Sequence, residues 1–173
     1  MEELLDAPAR DTLQTTILPQ YLPKRRWFAG KEGPIDEVRL RYGVRFATAT
    51  TPVLLSEIEV LSGGTANHYQ LPFGLLPEDQ INTALPQQLA LSRVRRAHQV
   101  GLITDAFVLE PFIRAVLHAC QDGLRLPCGS GAGELRFECT DLLAALGLND
   151  ESAVRYLSAE QSNSSVVVGD RVV

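Results

Sequence analysis

The feature that most constrains the fold is a strict two-residue alternation between residues 38 and 46. Every second position is apolar or aromatic, at Val38, Leu40, Tyr42, Val44 and Phe46. Arginine occupies three of the intervening positions. Because successive side chains of a strand point to opposite faces of a sheet, the pattern predicts a half-buried antiparallel strand with an arginine face in water.

Further strand-like segments follow with short connections. Residues 51–61 predict a second strand, Gly63-Gly64 a turn, and residues 65–73 a third strand. Residues 90–96 are typical of another strand, although their first positions also fit a helix. Consecutive strands with short connections indicate an antiparallel meander.

The second half of the chain predicts a mixture of helices and strands. Asp105 is suited to capping a turn, and Pro111 to the first turn of an amphipathic helix that ends at Gly123. Residues 124–140 predict a hairpin with a glycine-rich loop. Because those glycines precede a strand and do not open a helix, they do not fit a dinucleotide-binding fingerprint. Together with the meander, these patterns predict an α+β protein.

The last sixteen residues predict a hairpin that is only partly present. Gly169-Asp170 lies between two valine runs, as in a two-residue hairpin turn. Val173 falls within the returning strand. We therefore expect the chain to be a piece of a longer protein, and we expect the open strand edge to promote formation of a homodimer.

Composition excludes several classes of function. The net charge is −5, with basic and acidic residues interspersed, which argues against a nucleic-acid or anionic-membrane surface. The acidic N-terminus does not fit a signal peptide, and no run approaches the roughly 20 apolar residues of a membrane span. Cys120, Cys128 and Cys139 form no CxxC and have no histidine at zinc-ligand spacing. We therefore expect no metal site and reduced thiols in a cytoplasmic protein.

The densest local pattern lies in residues 18–31, where two prolines, the basic trio Lys24-Arg25-Arg26 and the only tryptophan, Trp27, come together. Two interpretations stay open. The basic residues and the indole could form an anion or sugar site. Alternatively, Trp27 and Phe28 could anchor the N-terminal segment on the sheet, with the basic side chains in solvent.

Polar side chains on the predicted third strand leave a similar choice. They are Asn67, His68 and Gln70. They could contact a ligand, or they could belong to the solvated face of the strand.

Two segments at opposite ends of the chain resemble bacterial maltokinases, some of which stand alone and some of which are fused to a trehalose synthase. The first comprises Leu18-Pro19 and residues 22–31, Leu-Pro-Lys-Arg-Arg-Trp-Phe-Ala-Gly-Lys. The second comprises residues 160–167, Glu-Gln-Ser-Asn-Ser-Ser-Val-Val, and Gly169-Asp170. The resemblance implies a cap domain over residues 1–97, in which a curved antiparallel sheet packs on a helix as in cystatins. Residues 98–173 would then form an intermediate subdomain of helices and antiparallel strands, which begins the N-lobe of a kinase.

The same resemblance implies an ATP-dependent kinase that forms maltose 1-phosphate for trehalose and glycogen metabolism. ATP and Mg²⁺ would serve the full-length protein, and none is expected in this chain alone. The implied nucleotide-binding residues form one loop: Gln161, Ser162, Asn163, Ser164 and Ser165. Backbone N–H groups and hydroxyls of such a loop could cover the phosphates.

The sequence departs from the family in its catalytic parts. Phosphoryl transfer needs a lysine on the phosphates, acids for magnesium and a base for the attacking hydroxyl. The family's His-Gly-Asp and Asp-Phe-Glu motifs do not occur in these residues. We therefore expect no catalytic residue here and no activity of this chain alone. Two alternatives stay open: a non-catalytic regulatory or docking module for a trehalose synthase-type partner, and an aminoglycoside-phosphotransferase-like kinase with another sugar acceptor.

Overall fold

The alternating segments of the first half pair into one antiparallel sheet of six strands. The computed structural model describes residues 6–30, 33–81, 84–96, 98–128, 133–149, 151–157 and 165–172. The six strands are β1 (Glu37–Phe46), β2 (Val53–Ser62), β3 (Thr65–Gln70), β4 (Phe73–Pro77), β5 (Ala90–Arg96) and β6 (Gln99–Asp105). They lie in the order β1-β2-β4-β6-β5, and β3 pairs with the second half of β2. With the helices described below, this sheet confirms the predicted α+β class.

A bulge divides β1 into two parts. Leu40 pairs with Ile58 and Tyr42 with Glu57, so Arg41 is an extra residue in β1. Leu40 therefore belongs to one hydrophobic core, whereas Phe46 belongs to a second core. The predicted strand is confirmed, but its apolar side chains do not share one face, since an extra residue reverses the alternation.

The predicted third strand is wrong in one respect, because residues 65–73 comprise β3, a break at Leu71-Pro72 and the first residue of β4. Between β3 and β4, the N–H of buried Leu71 donates to the carbonyl oxygen of Ser56 at 3.0 Å. The hydroxyl of Ser56 donates back to the Leu71 carbonyl oxygen at 2.5 Å. Pro72 follows and has no N–H for a ladder, so the strand is interrupted here.

The N-terminal helical segment covers one face of the sheet. It consists of α1 (Ala7–Thr12), a π-helical stretch (Leu13–Ile17), α2 (Leu18–Tyr21) and a 3₁₀ turn (Leu22–Lys24). Helix α1 begins after Asp6, with Pro8 in its first turn. Its buried side chains enter the first core, Leu13, Leu18, Tyr21 and Leu22. Burying a leucine contributes about 1.5–3 kcal/mol, which holds this segment on the sheet.

A longer helix belongs to the second core. After the short helix α3 (Leu85–Gln88), α4 spans Glu110–Gln121, with Pro111 in its first turn as predicted. Phe112, Ile113 and Leu117 of α4 are buried in the same core as Phe46 of β1. Gly123 follows with φ +61°, the left-handed conformation that ends many helices.

Short antiparallel elements complete the second half. They are β7 (Arg125–Pro127), β8 (Glu134–Arg136), α5 (Asp141–Ala145), β9 (Val154–Tyr156), β10 (Val166–Val168) and β11 (Arg171–Val172). β7 pairs with β8, and β10 lies between β9 and β11. Gly169 and Asp170 have φ values of +60° and +59°, as a tight two-residue hairpin turn requires. The predicted hairpins and the Gly169-Asp170 turn are confirmed.

The sheet continues past the predicted domain boundary. That boundary, between residues 97 and 98, falls between β5 and β6, which pair with each other. β6 also pairs with β4 and ends at Asp105. The division into a cap at 1–97 and a kinase subdomain at 98–173 stays a prediction.

Candidate ligand-binding cleft

The predicted nucleotide-binding loop is only partly within the described structure. Gln161, Ser162, Asn163 and Ser164 lie outside the described residues. Ser165 is half-buried, and its carbonyl oxygen accepts a hydrogen bond from the N–H of Leu157 at 3.5 Å. Buried β10 begins directly after it. The assignment of these five residues to a nucleotide stays a prediction.

A cavity of about 670 Å³ opens beside the six-stranded sheet. Its lining comes from the sheet, from the segment after α2, from α4 and from the β7–β8 hairpin and the residue after it. We call it the cleft. Its lining residues are Trp27, Leu55, Ser56, His68, Tyr69, Gln70, Pro72, Asp105, Phe107, Phe112, Val116, Leu135, Arg136 and Phe137. Its volume lies in the range of small-molecule sites, and so does its combination of aromatic rings with a few polar groups.

Trp27 forms one aromatic wall of the cleft. Its ring centroid lies 5.6 Å from that of Tyr69, and the ring of Phe28 lies 5.5 Å from the same tyrosine. Phe28 is buried in the first core, and Trp27 is half-buried against it. The aromatic-anchor interpretation is therefore confirmed for Trp27 and Phe28. Trp27 also faces the cleft, which the sugar-site interpretation requires of it.

The three side chains of the basic trio lie in different environments. Lys24 and Arg26 are exposed, whereas Arg25 is half-buried. The Arg25 guanidinium lies 4.4 Å from the centroid of the Tyr21 ring, and it donates to the carbonyl oxygen of Gln88 at 3.2 Å. None of the three lines the cleft, so the structure does not bring them together with the indole as one site.

Asp105 is the buried acid of the cleft, with 5% of its surface exposed. One carboxylate oxygen accepts the N–H of Phe107 at 2.9 Å and so caps the 3₁₀ turn Ala106–Val108, as predicted for this residue. Burial raises the pKa of Asp105 from 3.8 to about 6, against the smaller lowering effects of the Phe107 N–H and of the Arg25 charge. Burial also raises the pKa of Tyr21, and the negative charge of Asp105 raises it further.

The predicted polar contacts of β3 are only partly in the cleft. His68 and Gln70 line it, whereas Asn67 does not. Nδ1 of His68 lies 2.8 Å from a carboxylate oxygen of Glu57. The side-chain oxygen of Gln70 accepts from the hydroxyl of Tyr42 at 2.9 Å. Both residues are exposed at the rim of the cleft, and their contacts with Glu57 and Tyr42 orient their side chains there.

Three phenylalanines in the lining of the cleft were not predicted from the sequence. They are Phe107, Phe112 and Phe137. Phe46 stacks on Phe137 with ring centroids 5.3 Å apart, and it meets Phe112 edge-on at 5.8 Å. An acid directly after the strand-like stretch Leu102–Thr104 is a pattern that could have drawn attention to Asp105. No local pattern predicts that Phe137 lies near Trp27.

The described part of the chain offers no cluster of three or more His, Cys, Asp or Glu side chains that could hold a metal ion. Cys120, Cys128 and Cys139 are all free thiols. Within the described ranges, no helix is both long enough and apolar enough to cross a lipid bilayer.

Comparison with protein families gives a match, which includes the six-stranded sheet and several residues of the cleft. Residues 21–107 match the family described as the maltokinase N-terminal cap domain. The match covers about half of the chain, from α2 to the turn after β6, and it includes Trp27, Asp105 and Phe107. It confirms the resemblance found at the N-terminal motif. No curated protein gives a significant match to the chain.

Proposed function

The chain belongs to the family of maltokinase N-terminal cap domains, and from this membership we propose that it is the N-terminal part of an ATP-dependent maltokinase. In the full-length protein, the γ-phosphoryl group of ATP would pass to the anomeric hydroxyl of maltose and give maltose 1-phosphate. The single observation that carries the proposal is the match over residues 21–107.

The order of elements supports the same reading. Behind the matched region, the chain continues into α4 and then into the three antiparallel strands β9, β10 and β11. Residues 157–165 connect β9 with β10, and these strands pair antiparallel. A loop between paired antiparallel strands is where a kinase covers the phosphates of ATP, so Gln161 to Ser165 are suitably placed in the sequence.

The chemistry itself would come from residues that this chain does not contain. The chain has two lysines, Lys24 and Lys31, and none between residues 32 and 173. It also lacks His-Gly-Asp and Asp-Phe-Glu. Since phosphoryl transfer depends on a lysine, magnesium-binding acids and a base, we propose that ATP and Mg²⁺ bind only in the full-length protein.

The experiment is an assay of the full-length protein with ATP, Mg²⁺ and a panel of sugars. We expect turnover of maltose, and no turnover by the 173-residue chain under the same conditions. If maltose is inert and another sugar or an aminoglycoside is phosphorylated, the acceptor is wrong and the alternative kinase is correct. If the gene continues past the codon of Val173 without a lysine and the two catalytic motifs, the kinase proposal fails.

A second candidate function follows from the absence of the catalytic motifs in this sequence. The chain could be a regulatory or docking module for a trehalose synthase-type partner. In that case, it would bind such a partner in a sedimentation experiment and the gene would encode no catalytic lobe. A full-length protein that phosphorylates maltose would refute this candidate.

A further inference from the structure

We propose that the cleft binds a neutral sugar of about disaccharide size, with Asp105 as the acceptor of its hydroxyl groups and Trp27 as a ring that packs on the sugar. This would be a binding site on the cap, separate from the phosphoryl-transfer chemistry. The choice of maltose as the first probe rests on the proposed function, whereas the choice of a sugar rests on the side chains.

The first argument is the hydrogen-bonding capacity of Asp105. A carboxylate can accept about four hydrogen bonds. Among the described residues, the carboxylate's hydrogen bond comes from the N–H of Phe107. Asp105 is nonetheless only 5% exposed, and it is one of the residues that line the cleft. A buried acid with unused acceptor capacity is costly unless donors reach it, and sugar hydroxyls are such donors.

The second argument is the distribution of aromatic rings. Trp27, Phe107, Phe112 and Phe137 all line the cleft. The faces of aromatic rings carry partial negative charge and a large apolar area. The C–H groups on the faces of a pyranose ring are slightly positive and apolar, so they complement these rings while the hydroxyls at the ring edge point elsewhere.

The third argument concerns the polar side chains at the rim of the cleft. His68, Gln70 and Arg136 place an imidazole, an amide and a guanidinium around the opening. Glu57 and Tyr42 hold the first two in defined positions. Side chains that are already oriented lose little conformational entropy when a ligand arrives, so they are suited to contact the outer hydroxyls of a sugar.

Charge separates a sugar from other small ligands. The carboxylate of Asp105 would repel a phosphate in the cleft. An organic cation would bind through the negative charge of Asp105. The positive charge of Arg25, which lowers the pKa of Asp105, partly cancels that attraction. A neutral molecule with many hydroxyl groups therefore fits better than an anion or an amine.

The experiment uses the fluorescence of Trp27, the chain's single tryptophan. The 173-residue chain is titrated with maltose, trehalose and galactose, and with inorganic phosphate and choline as an anion and a cation. Saturation-transfer NMR with the same compounds detects binding that leaves the fluorescence unchanged. We expect saturable binding of at least one sugar, and no binding of phosphate or choline.

Two Asp→Asn variants provide the decisive comparison. Asp105→Asn removes the charge from the cleft and should weaken sugar binding about tenfold or more, because hydrogen bonds to charged groups contribute about 1.5–3 kcal/mol. Asp79→Asn is the matched control, since Asp79 is exposed in the 3₁₀ turn Glu78–Gln80 and does not line the cleft. It should bind like the unmodified chain. Circular dichroism verifies that both variants are folded.

Three outcomes would overturn the proposal: no sugar binding by either method, equal sugar affinity of the Asp105→Asn variant and the unmodified chain, or binding of choline or phosphate in place of sugars. These outcomes are distinguishable from failure of the proposed function. If the full-length protein has no kinase activity but the chain still binds a sugar, only the proposed function fails. If the full-length protein is an active maltokinase but the chain binds no sugar, only the proposed sugar site fails.

Discussion

Replacement of Asp105 by asparagine should stabilise the protein at neutral pH. The buried carboxylate must ionise above its raised pKa, whereas the amide of asparagine never does. Asparagine keeps an oxygen that can accept the Phe107 N–H, so the cap of the following 3₁₀ turn is retained. The substitution therefore removes the charge and keeps an acceptor for the Phe107 N–H.

The magnitude follows from the pKa. Burial raises the pKa of Asp105 from 3.8 to about 6. Each pH unit of difference corresponds to about 1.4 kcal/mol, so ionisation costs the native state about 3 kcal/mol relative to the unfolded chain. A neutral amide accepts a weaker hydrogen bond from Phe107, which costs about 1 kcal/mol. We expect a net gain of about 2 kcal/mol at neutral pH.

The pH dependence has a defined sign. Because the folded pKa of this acid lies above the unfolded value, the native state binds more protons between about pH 4 and pH 6. The contribution of Asp105 to stability is therefore fully present below about pH 4 and is lost as the pH rises through about 6. The positive charge of Arg25 lowers the pKa of Asp105, but by less than burial raises it. The Asp105→Asn variant should lack this loss.

Urea denaturation followed by Trp27 fluorescence provides the assay, between about pH 4 and about pH 8. The quantity to compare is the free energy of unfolding of the variant minus that of the unmodified chain. It should rise with pH, and Asp79→Asn, which removes an exposed carboxylate, serves as the control. A difference that is constant with pH, or that falls, would refute the reasoning about Asp105.

Further predictions concern packing, a tertiary hydrogen bond and the open strand edge. Gly101→Ala should destabilise the protein by about 1–3 kcal/mol in urea denaturation, because its Cβ would lie 2.8 Å from the carbonyl oxygen of Leu76. Gly33→Ala is its control, with the nearest atom at 3.5 Å, and equal effects of the two would contradict the packing argument. Arg114→Ala should lower the free energy of unfolding by about 1–2 kcal/mol. The reason is that the guanidinium donates to the Ser152 carbonyl oxygen at 3.1 Å and so connects α4 to the segment before β9. An unchanged urea midpoint would count against this. The β11 edge should lead to concentration-dependent dimers in sedimentation, and a strictly monomeric chain would disprove it.

Much of the fold could be predicted because its determinants are local. The alternation from Val38 to Phe46, the Gly169-Asp170 turn and the placement of Pro111 each depend on a few neighbouring residues. The bulge at Arg41 depends on how β1 aligns with β2, and the sequence of β1 alone continues its alternation through it. The break at Leu71-Pro72 likewise depends on a hydroxyl fifteen positions away, on Ser56.

The cleft was less predictable because it depends on contacts between residues that are distant in the sequence. Trp27 and His68 were candidates because their chemistry is conspicuous in the sequence. Asp105 was expected only to cap a turn, since burial of its carboxylate depends on side chains from several elements. Phe137 directly follows the β7–β8 hairpin, more than a hundred residues after Trp27, and only tertiary packing brings the two to one cavity.

The central claim is that this chain is part of an enzyme that phosphorylates maltose. Phosphorus NMR of the product that the full-length protein forms from ATP and maltose tests it most directly. The proposal predicts a phosphate ester on the anomeric carbon of maltose, formed only when ATP, Mg²⁺ and maltose are all present. Phosphorylation of another hydroxyl, or no sugar phosphate with maltose at all, would contradict it.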